Sequence, residues 1–471
     1  MTFPGRTVLR SIHTLITMRG ERTAPDAPLP DAAVVVEDGV IVWVGRDADV
    51  PPALLDGAAV RDLSGHVVLP GLVNTHHHLY QTLTRCVAPD SGLFEWLRTL
   101  YPIWLRLTPD AAFDSAQLGL AELALSGCTT SSDHLYLYPN GVRLDDTIHA
   151  ARDLGMRFHA TRGSMSLGES QGGLPPDRAV ERADAILADS ARVIDAFHDP
   201  ARYALTRIAL APCSPFSVTG DVMRESAALA RAVSAHGKGG VMLHTHLAET
   251  ADEDAFCLSM FGMRPLDYAE SVGWVGPDVW FAHGVHFSPA DAARLGQCGC
   301  GVAHCPSSNM RLASGIAPTR TLLEAGVKVA LGVDGSASND GSHLLAEARQ
   351  ALLSSRVRGV PGQAPHAHDL LTAHDALWLA TRGGAAVLNR DDVGQLTPGY
   401  AADLIAVDLR DLGYSGARHD PLSALTLCAP PRVALTMVGG RVIVDGGVLT
   451  GIDLPALIER HDRHSRRMLE G

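Results

Sequence analysis

Pro70-Gly71-Leu72-Val73-Asn74-Thr75-His76-His77-His78 is the stretch on which the reading of this chain turns. An apolar run, Val67-Val68-Leu69, leads through Pro70 and Gly71 into a second apolar pair and then into three histidines. A short apolar run bounded by turn residues predicts a buried strand, here Val68 through His78. Successive side chains on a strand alternate faces, so His76 and His78 are expected to point one way and His77 the other. Two imidazoles on one face can share a divalent metal through their neutral ring nitrogens. An isolated H-x-H is more often incidental, so the downstream sequence has to decide.

Downstream, apolar strands alternate with helical stretches, the pattern of a parallel sheet or barrel. Seven further strands are predicted, at 128–134, 157–162, 207–211, 241–246, 279–283, 301–304 and 327–334. Helices at 111–125, 177–197, 222–235 and 289–295 fill gaps between them. Eight βα units predict a (β/α)8 TIM barrel, whose active site lies at the C-terminal ends of its strands. Titratable or polar groups finish these strands: His78, His134, Arg162, His246, His283, His304 and Asp334. A purely structural account does not require so many there.

The termini read differently. Ala32–Val36 and Val40–Val44 flank an Asp38-Gly39 turn, and Val433–Val438 and Arg441–Val444 flank Gly439-Gly440, both hairpin signals. The expectation is a small β-sandwich domain assembled from residues 1–68 and 391–450, a barrel over 69–390, and a closing C-terminal helix over 451–471.

A chain of 471 residues with 46% hydrophobic content can bury a large core. It has no run of 18 or more apolar residues, so no membrane span is expected. The N-terminal stretch carries Arg6, Arg10 and Arg19 and no apolar h-region, which predicts no signal peptide. A net charge of -13 argues against nucleic acid or an anionic membrane as partner. The eight cysteines show no finger or ribbon spacing, consistent with reduced thiols in a cytoplasmic enzyme.

Three strand ends carry the metal argument. His246 ends the fifth strand, with His244 one layer deeper, and Glu249 completes an H-x-x-E unit whose carboxylate can reach over a metal without ligating it. Asp334 precedes Gly335 at the end of the eighth strand; taken alone it would read as a helix cap. His76, His78, His246 and Asp334 together make a compact site with a position left open for water. The only lysines are Lys238, ahead of the fifth strand, and Lys328, opening the eighth. A divalent ion is expected, Zn²⁺, with Fe²⁺ fitting the same ligands.

P-G-L-V-N-T-H-H-H, H-T-H-L-A-E-T, A-H-G-V-H and G-V-D-G-S-A-S-N-D resemble the amidohydrolase superfamily, in its aminohydrolase branch, across essentially the whole chain. Tyr80–Arg85, Ser126–Thr130, Thr161–Ser166 and Cys305–Arg311 narrow the resemblance to the bacterial 8-oxoguanine and hydroxydechloroatrazine aminohydrolase group. The resemblance implies hydrolytic deamination of a purine-like heterocycle, 8-oxoguanine to urate and ammonia, with guanine, a pterin or a hydroxy-s-triazine as alternatives. Many members of that superfamily bridge two metals with a carbamylated lysine at the end of strand four, and this chain has none there, so the resemblance implies a single ion, which would lower the pKa of its water toward roughly 7. Asp334 would take the proton of that water, Glu249 would protonate the ring nitrogen, and His283 would stabilise the attacking oxygen. His286 follows His283 closely, and spacing alone does not separate them.

For substrate contacts, the amides of Gln81 and Asn74 suit a purine edge, Arg162 could meet a carbonyl or sit in a buried salt bridge, and Trp104, with Trp96 and Tyr101, could stack on a heterocycle or pack as ordinary helix core. Guanine deaminases carry Arg-Phe before the end of strand four, where this chain has Ala209-Leu210, which counts against plain guanine. A homo-oligomer is expected. A catalytically dead scaffold of the same fold would have lost ligands, and this chain keeps the full set. A nucleic-acid deaminase is disfavoured because the H-x-E…P-C-x-x-C signature is missing.

Overall fold

The computed structural model describes residues 5–235, 239–358 and 370–471. Lys238, one of the two lysines weighed above, lies outside them.

Eight parallel strands form the barrel: Leu72–Asn74, Cys128–Leu135, Arg157–Ser164, Thr206–Pro212, Met242–Leu247, Val279–His283, Gly301–His304 and Lys328–Leu331. They are neighbours in chain order, as right-handed βα units require. The first and last strands meet through Thr75, whose amide and hydroxyl both donate to Leu331 O, at 3.0 and 2.9 Å. Asn74 reaches to both sides, to the second strand and across the same seam. Its Nδ2 donates to Ser131 Oγ at 3.0 Å and its Oδ1 accepts from Val333 N at 2.9 Å.

The opening stretch is not one strand. His66–Pro70 belongs to the sheet built from the termini and Leu72–Asn74 to the barrel, and the three histidines lie beyond the strand end. Gly71 makes the crossing possible, because a Cβ there would come within 2.2 Å of the Thr129 side chain. The eighth strand likewise stops at Leu331, three residues short of Asp334.

The terminal segments build a nine-stranded mixed sheet. Its strands run from Arg6–Leu15 through His66–Pro70, then from Leu404–Asp408 through Val448–Leu449. Asp38 and Gly39 both take positive φ, as do Gly439 and Gly440, so the two predicted hairpins turn as their sequences require. Leu9, Val34 and Val36 from one half share a buried cluster with Leu404, Ala406 and Met437 from the other, so the sheet curls over a core of its own. The closing helix Leu454–Glu470 is held to the first βα unit: Arg460 pairs with Asp114 at 3.0 Å, and His461 Nε2 lies 3.0 Å from Thr82 Oγ1. Among the described residues no helix is long and apolar enough to cross a membrane.

The barrel floor meets this sheet through a buried ion pair, and a second such pair lies beside it. Arg157, at the start of the third strand, grips Asp403 with Nε–Oδ2 at 2.7 Å and Nη2–Oδ1 at 2.9 Å. Arg390 holds Asp392 the same way, at 2.7 and 2.8 Å.

Candidate metal centre and active-site cavity

At the opposite end, the side chains past the strand ends converge. His76 Nε2 and His78 Nε2 lie 3.3 and 3.4 Å from Asp334 Oδ1, and His78 Nε2 lies 3.1 Å from His246 Nε2. All are buried. His77 turns the other way, its Nε2 3.0 Å from Ser342 Oγ, so the alternation expected of a strand persists beyond the strand itself.

The hydrogen bonds behind these rings fix their tautomers. His78 Nδ1 is 2.7 Å from His134 O, and His246 Nδ1 is 2.7 Å from Cys213 O. A carbonyl can only accept, so each Nδ1 carries the proton and each Nε2 presents a lone pair. Two lone pairs facing each other across 3.1 Å repel unless a cation lies between them. His76 Nε2 is also buried without a hydrogen-bond partner. Burial pushes the pKa values of His76, His78 and His246 down, favouring the neutral rings a metal needs. Burial alone would raise the Asp334 carboxyl, but the adjoining histidines, His76 foremost with His283 and His78, hold it well below the usual carboxylate range. Three imidazole nitrogens and a carboxylate oxygen can hold a zinc-like divalent ion. His134, which the sequence marked only as a strand end, offers a fourth nitrogen within 4.8 Å of the other three.

Glu249 and His283 sit beside this cluster. Burial pushes the Glu249 carboxyl up to about 7, with Asp334 and Glu253 adding to the rise. His283 Nε2 lies 3.6 Å from Glu249 Oε2 and 3.9 Å from Asp334 Oδ2, while its Nδ1 is 2.9 Å from Asn309 Oδ1. Burial lowers the His283 pKa, but the Glu249 and Asp334 carboxylates outweigh it and leave it raised. His283 and Asp334 both take positive φ, 71° and 63°, a strained region for residues with a Cβ. His286, the alternative by spacing, instead has Nε2 3.1 Å from Ser314 O.

These groups open into a cavity of about 380 Å³. Its walls include Gln81, Trp96 and Tyr101 from the sequence reading, and Tyr136, Cys213 and Phe216, which it did not single out. Tyr136 and Cys213 each follow a strand end by one residue, the signal that could have found them.

Three of the expected contacts do not line this cavity. Asn74 spends both ends of its amide inside the barrel wall, on Ser131 of the second strand and Val333 beyond the last. Arg162 is turned outward to Glu181 and Asp189, at 2.8 and 2.7 Å, with its guanidinium over the Tyr138 ring. Trp104 packs behind Trp96 and donates its indole N–H to Thr84 Oγ1 at 3.0 Å. Among the described residues no lysine reaches the mouth; Lys328 begins the eighth strand at the far end, with Nζ 3.3 Å from Pro277 O.

The profile of the amidohydrolase family matches residues 67–443. The chain is 50% identical to an 8-oxoguanine deaminase from Pseudomonas aeruginosa over 470 residues, covering 99% of this chain and 100% of that one. It is 38% identical to a hydroxydechloroatrazine ethylaminohydrolase from Pseudomonas sp. (strain ADP), covering 99% and 96%. A solved structure of atrazine chlorohydrolase from Arthrobacter aurescens TC1, complexed with zinc, superposes with a TM-score of 0.89 at 32% identity, covering 98% of this chain and 100% of that one. Barrel, strand-end histidines and full-length similarity agree: the chain belongs to the amidohydrolase family.

Proposed function

We propose that this protein hydrolyses 8-oxoguanine at its exocyclic amine, giving urate and ammonia. The observation that carries the reading is the 50% identity, spanning both chains, to a protein of that activity. In this reading His76, His78, His246 and Asp334 hold one divalent ion, Zn²⁺ or Fe²⁺. When bound, that ion supplies Lewis-acid activation of water at neutral pH.

The chain's own groups do the rest. Asp334 stays ionised, and its Oδ2, steadied by Ser338 Oγ at 3.2 Å, accepts the proton of the attacking water. Glu249, with its pKa about 7, is poised both to give a proton to the ring nitrogen beside the reacting carbon and to pass one to the departing ammonia. His283 keeps Nε2 toward the reacting centre because Asn309 Oδ1 holds its other nitrogen, and it stabilises charge on the attacking oxygen. Trp96, Tyr101 and Phe216 wall the cavity and exclude bulk water.

Substrate choice follows from hydrogen bonding. Oxidation at C8 of guanine adds a carbonyl acceptor and converts N7 from acceptor to N–H donor. Gln81 Oε1 and the Tyr101 hydroxyl, both of cavity-lining residues, are buried without partners and can meet such an edge. A ligand lacking it leaves a buried pocket group unpaired, at a cost of about 1–3 kcal/mol each. Two such losses give a discrimination of tens-fold or more in kcat/KM. Gln81 is the contact we assign to the base.

A second reading, hydrolysis of a hydroxy-s-triazine, is favoured by the 38% identical relative and by the triazine hydrolase structures. Ammonia or alkylamine release measured side by side on 8-oxoguanine, guanine, isoxanthopterin and an N-alkyl hydroxytriazine separates them. The expected result is highest kcat/KM on 8-oxoguanine; equal turnover of guanine, or activity confined to the triazine, overturns the proposal.

A further inference from the structure

His244 lies on the Met242–Leu247 strand, fully buried and one layer below His246, and no step above uses it. Its Nε2 is 2.8 Å from His76 Nδ1, and its Nδ1 is 2.9 Å from Trp280 O. Its ring lies flat on the Trp280 indole, with centroids 4.3 Å apart and planes within 15°. The Trp280 indole N–H in turn donates to the carbonyl of Thr75, the residue before His76, at 3.2 Å. The side chain and the backbone at His76 are therefore gripped from the same place.

The proton count runs in one direction. Trp280 O can only accept, so the proton of His244 is on Nδ1. A neutral imidazole then has only a lone pair at Nε2. The hydrogen in the 2.8 Å contact must come from His76 Nδ1, which leaves His76 Nε2 as the lone pair facing Asp334 Oδ1 at 3.3 Å. His78 and His246 reach the same tautomer through backbone carbonyls. His76 reaches it through a second histidine and depends on that ring being present and correctly protonated.

We propose that His244 is a positioning residue that sets the tautomer and orientation of His76 and so raises the affinity of the site for its metal. The proposal rests on the reading of His76 as a ligand. Partners behind a ligating histidine typically contribute 10–100-fold to metal affinity. His244→Phe keeps a flat ring against Trp280 but cannot accept the His76 N–H. His244→Gln restores an acceptor oxygen while its amide N–H can still reach Trp280 O.

The test is the dissociation constant for Zn²⁺, measured by chelator competition on the full-length enzyme, with His76→Ala as reference. His244→Phe should weaken Zn²⁺ binding by about 10–100-fold, His244→Gln should recover most of that loss, and His76→Ala should weaken binding further than either. Native affinity in His244→Phe, or equal losses in the Phe and Gln variants, overturns the positioning role while leaving His76 a ligand. Native affinity in His76→Ala removes the ligand reading and the proposal with it. If His244→Phe does not fold, nitrogen NMR of the histidine-labelled native enzyme decides. Protons on Nδ1 of both His76 and His244 support the proposal, and a proton on Nε2 of His244 overturns it.

Discussion

The floor and the mouth of this barrel both bury charged and polar side chains, and they complete them differently. At the floor, Arg157–Asp403 and Arg390–Asp392 are bidentate pairs, and Asp403 Oδ1 also accepts the Gly439 amide at 2.7 Å. Each of these carboxylates meets its counter-charge within the chain. At the mouth, His78 and His246 point lone pairs at one another, and His76 Nε2 and Gln81 Oε1 have no partner. A buried group satisfied by its own chain holds the fold together; a set of converging acceptors left unsatisfied calls for something from outside. The backbone tells the same story, since His283 and Asp334 keep strained positive-φ geometry at the mouth.

The two ends therefore respond differently to substitution. The largest effect belongs to His246→Ala, which should lose the metal and with it several kcal/mol of transition-state stabilisation. Turnover should fall on the order of 10³-fold or more, with circular dichroism and thermal unfolding of the metal-free protein close to native. Next is Asp403→Ala at the floor. Removing one partner of a buried pair strands Arg157, and such losses cost about 3–5 kcal/mol. The denaturant midpoint should drop while metal content and kcat per folded molecule hold. A fall in kcat without a fall in stability would erase the distinction between the two ends.

Glu249→Gln sharpens the comparison within the mouth. It removes a proton carrier and leaves the metal cluster intact, so metal occupancy should stay full while turnover falls roughly 10²-fold. Loss of metal in this variant would make Glu249 a ligand instead. The smallest effect is the acid dependence of the floor. Although burial favours its protonated form, the Arg390 guanidinium holds the Asp392 carboxyl down at about 2. A carboxyl whose pKa is lowered by folding contributes stability above its unfolded value, about 3.9, and loses it as pH falls toward 2. Native stability should therefore decline between about pH 5 and pH 2, and Asp392→Asn should be less stable at neutral pH with a shallower decline over that window.

The same contrast explains what could be read from the sequence. Candidate ligands that repeat every second residue, as His76 and His78 do, or that lie at a strand end, as His246 does, announce themselves through local spacing. Asn74 could not be placed that way, because the groups that consume its amide, Ser131 and Val333, come from elsewhere in the chain and meet it only when the barrel closes. Arg162 was left between a substrate contact and a salt bridge for a related reason: the carboxylates that decide it, Glu181 and Asp189, lie on the stretch that follows its strand and draw it outward. Trp104 and Trp96 sit on one helix with near-identical composition around them, and only packing shows that Trp96 faces the cavity while Trp104 stands behind it. Gly71 shows why the first strand was drawn too long. Continuous apolar character hides a change of sheet that is visible only in the close approach to Thr129.

In the proposed reading the mouth is a set of ligands completed by one divalent ion. Elemental analysis of the purified native protein, alongside His246→Ala and Asp403→Ala, tests it most directly. We expect close to one divalent ion per chain in the native protein and in Asp403→Ala, and close to none in His246→Ala. Two ions per chain in the native protein, or native metal content in His246→Ala, would contradict it.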